Sequence, residues 1–295
     1  MGNKPKTPDA NHPIVKLIAF GGGIPGVEQA LKRVKKQADA FPLIDDVETF
    51  TPDDLGEDYR ETFGNLVESF GRGYGLWSWK PYLVYRELNK LREGDILLYV
   101  DAGCEINPNG EKLFAEYLDY TSRKGLLFFS IGQQQRHWTK PNTDLVTEEH
   151  YFRNQVASGA FFIKVCEDSR KFVKSWLDLC ASDNGFLLKD PQLTQNLDSP
   201  GFRDHRHDQS ILSKLVFEAG LEPLPDGTYL IPWSLAKRNP ILALRNTQTR
   251  FSWAIPAFIL PRPLYELWRL ITVVISPGAL KRIFRGKLYV PPRWR

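Results

Sequence analysis

The chain has 295 residues, 42% of them hydrophobic and 25% charged, with a net charge of +4; this allows one large domain or two modest ones and excludes a disordered chain. The balance of 39 basic against 35 acidic residues does not indicate a general nucleic-acid binder. Three cysteines, Cys104, Cys166 and Cys180, form neither a disulfide framework nor a CxxC metal site, which fits a reducing, cytoplasmic-type compartment.

Residues 1–12 are polar and Pro-containing, lack the apolar core of a secretory signal, and read as a flexible tail. Lys6 stands where a myristoylation signal requires Ser or Thr. Ile14–Phe20 is a short apolar run without helical period and reads as a buried strand. It runs into Gly21-Gly22-Gly23 and then into a helix over Val27–Ala40. Ala30, Leu31, Val34, Ala38 and Phe41 form the apolar face of that helix, and Lys32, Arg33, Lys35 and Lys36 its polar face. With a second strand at Asp46–Phe50, this order opens an α/β domain with parallel pairing. Helices are expected at Tyr59–Phe70 and Tyr82–Leu91, and a central strand at Asp95–Val100. A turn at Asn107–Gly110, a helix at Glu111–Arg123 and strands at Gly125–Ile131 and Val156–Lys164 follow. Further helices are expected at Ser169–Cys180 and Asp208–Ala219, separated by an irregular stretch. No run approaches the roughly 18 apolar residues of a membrane span.

Several clusters carry chemistry. Asp101 sits where an apolar strand stops, and in open α/β sheets ligands bind beyond the carboxyl ends of strands. A carboxylate there suits a metal or a ribose hydroxyl; its bland alternative is a turn cap. His205-Arg206-His207-Asp208-Gln209 gathers two imidazoles, a guanidinium and a carboxylate; these types suit Zn- or Mn-like cations, or a hydrogen-bonded surface turn with Asp208 as helix cap. Gly73-Tyr74-Gly75-Leu76-Trp77-Ser78-Trp79-Lys80-Pro81 offers aromatic faces for a sugar or base and an ammonium for phosphate, with core packing as the alternative for each Trp. Gln133–Thr143 reads as a polar loop or flap, including Trp138 and Lys140, and Ala157-Ser158-Gly159-Ala160 permits close approach of a ligand. Gly21, Gly23 and Gly26 match the dinucleotide spacing GxGxxG, a weak signal with Pro25 inside it.

The ordered set RGYGLWSWKPYLVYREL, GDILLYVDAGCEIN, HWTK, VASGAFFI and HRHDQSILSKL resembles nucleotide-sugar glycosyltransferases of bacterial and viral polysaccharide type. The resemblance spans residues 14 to 246 and implies the glycosyltransferase-A fold: one Rossmann-like α/β domain, residues 13–254, with a central mixed, mostly parallel sheet. It implies transfer of a sugar from a nucleoside-diphosphate sugar to a glycan or lipid-linked acceptor, with retention and with a divalent cation, Mn²⁺ or Mg²⁺. By resemblance, Asp101 corresponds to the first Asp of the Asp-x-Asp donor motif, whose second Asp is replaced here by Gly103, so Glu105, His205 or His207 is needed to complete a metal site. Donor binding falls to Gly21, Lys80, Asp101, Lys140, Ser158 and Gly159, and aromatic contact to Trp77, Trp79 and Trp138. Asp208 and Gln209 resemble the Asp-Gln pair beside the anomeric carbon and are the expected catalytic residues.

Residues 255–295 form a basic amphipathic extension. Leu264–Ile275 is apolar but interrupted by Glu266 and Arg269, and Lys281, Arg282, Arg285 and Lys287 follow. This suits either an interfacial helix, each basic residue adding about 1 kcal/mol at an anionic leaflet, or a helix packed on the domain. Residues 257–295 are accordingly the expected membrane contact, and the expected location is cytoplasmic, peripheral at the inner membrane face. A non-catalytic sugar-nucleotide or glycan-binding protein and a peripheral membrane adaptor are the competing readings.

Overall fold

The computed structural model describes residues 13–191, 201–226, 228 and 238–247. The expected tail 1–12 and the extension 255–295 lie outside the described residues.

Strands β1 (Val15–Phe20), β2 (Asp46–Phe50), β3 (Ile96–Val100), β5 (Leu126–Leu127) and β8 (Ala160–Lys164) form a five-stranded sheet in the order β2-β1-β3-β8-β5. β2, β1 and β3 pair in parallel, and β8 runs antiparallel to both β3 and β5. Four strands thus share one direction and β8 opposes them, the mixed and mostly parallel sheet that the resemblance implies. Every side chain of β1 and β3 is buried, as expected for strands covered on both faces, and this is why they show no alternation in sequence.

Helices α1 (Val27–Asp39) and α5 (Glu111–Lys124) cover one face, packing on Leu17, Ala19, Leu98, Val100 and Phe162. Helices α2 (Glu57–Ser69), α4 (Trp79–Leu88), α7 (Glu167–Gly185) and α8 (His207–Glu218) cover the other, on Ile18, Phe20, Leu97, Tyr99 and Phe161. The period-two alternation of β1 and β3 divides their residues between these two cores. α7 is longer than expected and kinks at Ser182, Asp183 and Asn184. Between α2 and α4 lies α3 (Gly73–Leu76), a single turn whose residues all have positive φ. The three cysteines are free.

Two elements expected as continuous strands are each broken. The first divides into β5 and β6 (Phe129–Gln134); the second into β7 (Asn154–Val156) and β8. β6 and β7 leave the main sheet and pair antiparallel, with β9 (Leu224–Pro225) parallel on the other side of β6. The break at 157–159 frees the Ser158 and Gly159 carbonyls from the ladder. Buried carbonyls must find donors elsewhere, and both find them in the site described below. A short ribbon of β4 (Glu105–Ile106) and β10 (Ile241–Leu242) holds the segment 238–247 against the loop that follows β3.

Gly73 has φ +62, and a Cβ there would lie 2.5 Å from the Trp77 ring. Gly73→Ala is therefore expected to lower stability by at least about 2 kcal/mol, read as a fall in the urea midpoint. Gly64, within α2, has open space around its Cα; Gly64→Ala is expected to raise stability by about 0.5–1 kcal/mol in the same titration.

Candidate active site

The site assembles where β1 and β3 end and β8 begins. Lys80, in the first turn of α4, is 1% exposed. Its ammonium donates to Ser158 O at 2.9 Å and Ser158 Oγ at 3.3 Å. It lies 3.1 Å from Asp101 Oδ1 and 3.4 Å from Asp208 Oδ2, and over the ring of Tyr99 at 5.1 Å. One buried cation thus bridges a carboxylate at the end of β3 and another at the start of α8. Burial opposes its charge, but the two carboxylates outweigh burial and hold its pKa above the ordinary lysine value. Lys80 therefore remains an ammonium.

The two carboxylates differ. The Asp101 side chain is 44% exposed. Tyr99 Oη donates to its Oδ1 at 2.7 Å, and its backbone N–H donates to Gly159 O at 2.8 Å. Burial first, and then the Asp101 carboxylate, hold the Tyr99 phenol well above its ordinary range, so it stays a donor. Oδ2 lies over Gly159, where an added Cβ would come within 2.9 Å of it. The glycine keeps that oxygen open. The Asp208 side chain is only 5% exposed. Burial raises its pKa, with Lys80 and Ser158 opposing. Its Oδ2 makes the ion pair with Lys80 but has no well-aligned hydrogen-bond donor among the described residues.

The loop after Asp101 is braced from two directions. Arg33 Nη2 donates to the carbonyls of Ala102, Cys104 and Asn246 at 2.9, 3.1 and 2.8 Å. Asn246 Nδ2 donates to Glu105 Oε1 at 2.9 Å, and Asn246 N to Gly103 O at 3.0 Å. Arg33, expected on the polar face of α1, is instead 4% exposed: its guanidinium is held by carbonyls that the bent loop cannot otherwise satisfy. Gly103 faces the backbone of Arg245, 3.0 Å from an added Cβ. The position where the resemblance expects a second Asp is filled by the segment 245–247, and Glu105 is fully buried against Asn246.

Of the expected site residues, Lys80, Asp101, Ser158, Gly159 and Asp208 come together here. Gly21 lies at the end of β1, its N–H donating to Phe50 O at 2.9 Å; an added Cβ would lie 2.9 Å from Val27 Cγ2, so this glycine admits close packing of α1. Gln209 Nε2 donates to Gln155 Oε1 at 2.6 Å, and the Gln155 amide donates in turn to Trp138 O, Thr139 Oγ1 and Ser210 Oγ.

The other expected residues make different contacts. Trp79 stacks on Phe20 at 4.0 Å and is core, its indole N–H donating to Gly73 O. The Trp138 ring carries the Arg206 guanidinium at 4.2 Å. The Trp77 ring stacks on His207. Lys140 Nζ donates to Phe186 O at 3.0 Å and lies on the Phe186 ring. The expected metal set of Asp101, His205 and His207 is not assembled, and no group of three or more His, Cys, Asp or Glu is placed to hold a metal among the described residues. His205 uses both ring nitrogens: Nδ1 accepts from Lys140 N and Nε2 donates to Leu187 O. His207 Nδ1 donates to Leu188 O at 2.7 Å. Asp101 is left as the residue that fits a cation, through the open Oδ2. Tyr99, Arg33 and Gln155 are the contributors that sequence reasoning missed. Tyr99 was detectable as the one polar side chain in an apolar strand, two residues before Asp101 and on the same side of the pleat.

No protein-family model matches this chain, and no curated protein matches it. Among solved structures it is similar to a glycosyltransferase involved in the glycosylation of the major capsid of PBCV-1, with 12% identity and a TM-score of 0.41 over 83% of this chain and 97% of that one. It is also similar to mouse xyloside xylosyltransferase 1 in its apo form, with 12% identity and a TM-score of 0.39 over 74% of this chain and 87% of that one.

Burial, and next the neighbouring His207, press the His205 pKa down to about 3. The folded state therefore binds fewer protons than the unfolded chain below about pH 6.5. Stability from this group is complete above that pH and falls as pH drops towards 3, with a slope approaching about 1.4 kcal/mol per pH unit. Urea titrations between pH 7 and pH 4 should show this fall, and His205→Gln should flatten it at some cost in stability at pH 7.

Proposed function

We propose that this chain is a glycosyltransferase that moves a sugar from a nucleoside-diphosphate sugar to a glycan or lipid-linked acceptor, with retention of configuration and with a divalent cation. The observation that carries this reading is the buried Lys80 ammonium held between an open carboxylate, Asp101, and a buried one, Asp208. Departure of a nucleoside diphosphate builds negative charge on the outer phosphate, and the sugar carbon becomes electron-poor. A site for this reaction needs positive charge at one end and a carboxylate at the other.

The ion count favours a cation. Among Lys80, Asp101 and Asp208 one positive charge faces two negative ones, which leaves no net positive charge in this trio to receive a diphosphate. Mn²⁺ or Mg²⁺ would supply that charge as a Lewis acid, and Asp101 is the residue that would hold it; Mg²⁺ is commonly bound by one or two carboxylates plus substrate phosphates. With a single protein carboxylate, cation affinity depends on the nucleotide. The Asp208 carboxylate, held by Lys80, stabilises the developing positive charge at the anomeric carbon of the donor sugar. With 5% exposure, the Asp208 side chain is better placed to orient the sugar than to deprotonate an incoming acceptor, and this favours retention. Gln155 fixes the amide of Gln209 beside it. Residues 13–254 constitute the catalytic unit in this reading. Residues 257–295 bring it to an anionic membrane surface where a lipid-linked acceptor resides, at the cytoplasmic side. No helix among the described residues is long and apolar enough to cross a membrane.

Thermal shift with nucleoside diphosphates and nucleotide sugars, with and without Mn²⁺, tests the reading. One nucleotide class is expected to stabilise the protein, by about 2.7 kcal/mol at 100 times its Kd, and more with Mn²⁺, whereas Mn²⁺ alone does little. Asp101→Asn should abolish the Mn²⁺-dependent part, and Asp208→Asn should lower turnover by about 100-fold or more with nucleotide binding retained. A folded sample that responds to no nucleotide would overturn the transferase assignment in favour of glycan binding or membrane adaptation. Removal of residues 257–295 should release the protein from anionic vesicles; unchanged binding would sink the membrane role.

A further inference from the structure

Five consecutive residues before Lys80 have left-handed backbone: Gly73 (φ 62), Tyr74 (φ 51), Gly75 (φ 77), Leu76 (φ 59) and Trp77 (φ 62). His207, immediately before Asp208, is left-handed as well, with φ 46. For residues with a side chain this conformation costs about 1–2 kcal/mol each, and such strain persists only where surrounding structure over-determines it. Here the determinants are visible. Gly75 N donates to Phe70 O, Leu76 N to Arg72 O and Trp77 N to Gly73 O, at 3.0, 3.0 and 3.1 Å. Trp79 Nε1 donates to the same Gly73 carbonyl at 2.9 Å.

The two strained segments meet. The Trp77 ring stacks on the His207 ring with centroids 5.3 Å apart and planes 27° apart. The Arg72 guanidinium lies 5.7 Å from the same indole. His207 is anchored through Nδ1 to Leu188 O at 2.7 Å, and the His205 ring lies edge-on at 5.1 Å. Trp77 precedes Lys80 by three residues and His207 precedes Asp208 by one, so the ring pair joins the chain just ahead of the two charged groups that lie 3.4 Å apart.

We propose that the Trp77–His207 stack is the brace that sets the separation of Lys80 from Asp208, and thereby the spacing between Asp101, which Lys80 also holds, and Asp208 at the sugar end of the site. Trp77 and His207 are positioning residues in this assignment, neither a sugar platform nor a metal ligand. The functional consequence rests on the transferase reading above; the geometric one does not. A brace acts on alignment and leaves ground-state affinity for the donor unchanged.

The experiment compares Trp77→Ala and His207→Ala with the ring-preserving Trp77→Phe and His207→Phe. Both alanine variants are expected to lower kcat about 100-fold, the effect of misplacing a reacting group by about 1 Å. KM for the nucleotide sugar and the nucleotide-dependent thermal shift should stay near wild type, and the phenylalanine variants should recover most of kcat. A raised KM with unchanged kcat would assign Trp77 to donor contact and overturn the brace. So would wild-type kcat in a folded alanine variant. If the wild-type protein neither binds nucleotide nor turns over, the transferase reading fails by itself. Crystal structures of wild type and His207→Ala then decide the brace: the Lys80–Asp208 separation should lengthen, and an unchanged separation would overturn it.

Discussion

A lysine ammonium with almost no exposure to water organises this molecule's site. An isolated charge at that depth is unfavourable by several kcal/mol, so Lys80 requires partners on every side, and the chain supplies them from three separate elements. Asp101 comes from the end of β3, Ser158 from the break before β8, and Asp208 from the start of α8. Because each partner is distant in sequence, their convergence reports the register of the whole sheet and the docking of both helices. A shift of β8 by one residue would replace the Ser158 carbonyl and carry Gly159 away from Asp101.

The interruption of the strands follows from the same requirement. Without the gap at 157–159, the Ser158 and Gly159 carbonyls would point into a ladder. With it, one receives the Lys80 ammonium and the other the Asp101 N–H. The gap also turns β6 and β7 into a separate small sheet. On the far side, Arg33 and the segment 245–247 stiffen the loop that carries Asp101, so that the exposed carboxylate stands on a fixed base. The site is thus one flexible-looking loop held rigid by a buried guanidinium, and one buried carboxylate held by a buried ammonium.

This arrangement explains why the residues nearest the charges include so many with unusual backbone. Left-handed conformations at Leu76, Trp77 and His207 are costs borne within a few residues of Lys80 and Asp208. They coincide with ring contacts and main-chain hydrogen bonds that leave little freedom at either helix start. Asp208 Oδ2, which pairs with the Lys80 ammonium, and His207 Nε2 lie at this junction without a well-aligned hydrogen bond among the described residues.

Much of the architecture was legible in the sequence because it follows from local pattern. Apolar runs ending in glycine or aspartate mark β1 and β3. The spacing of Ala30, Leu31, Val34 and Ala38 marks α1, and the opening order of strand, glycine turn, helix and strand implies parallel pairing, while the mixed sheet came from the resemblance. Lys80, Asp101, Ser158, Gly159 and Asp208 could be singled out because small and charged residues at strand and helix ends are locally conspicuous. What each charged or aromatic side chain does was decided by tertiary structure alone. His205 and His207 carry ligand-type chemistry in sequence, yet main-chain carbonyls and N–H groups occupy His205 and hold one side of His207. Arg33 has the local look of a surface cation, and Lys140 that of a phosphate contact, until loops far away in sequence place acceptors against them. Helical and strand periodicities report which residues face inward, whereas the partner a buried polar group finds depends on contacts between segments tens to hundreds of residues apart.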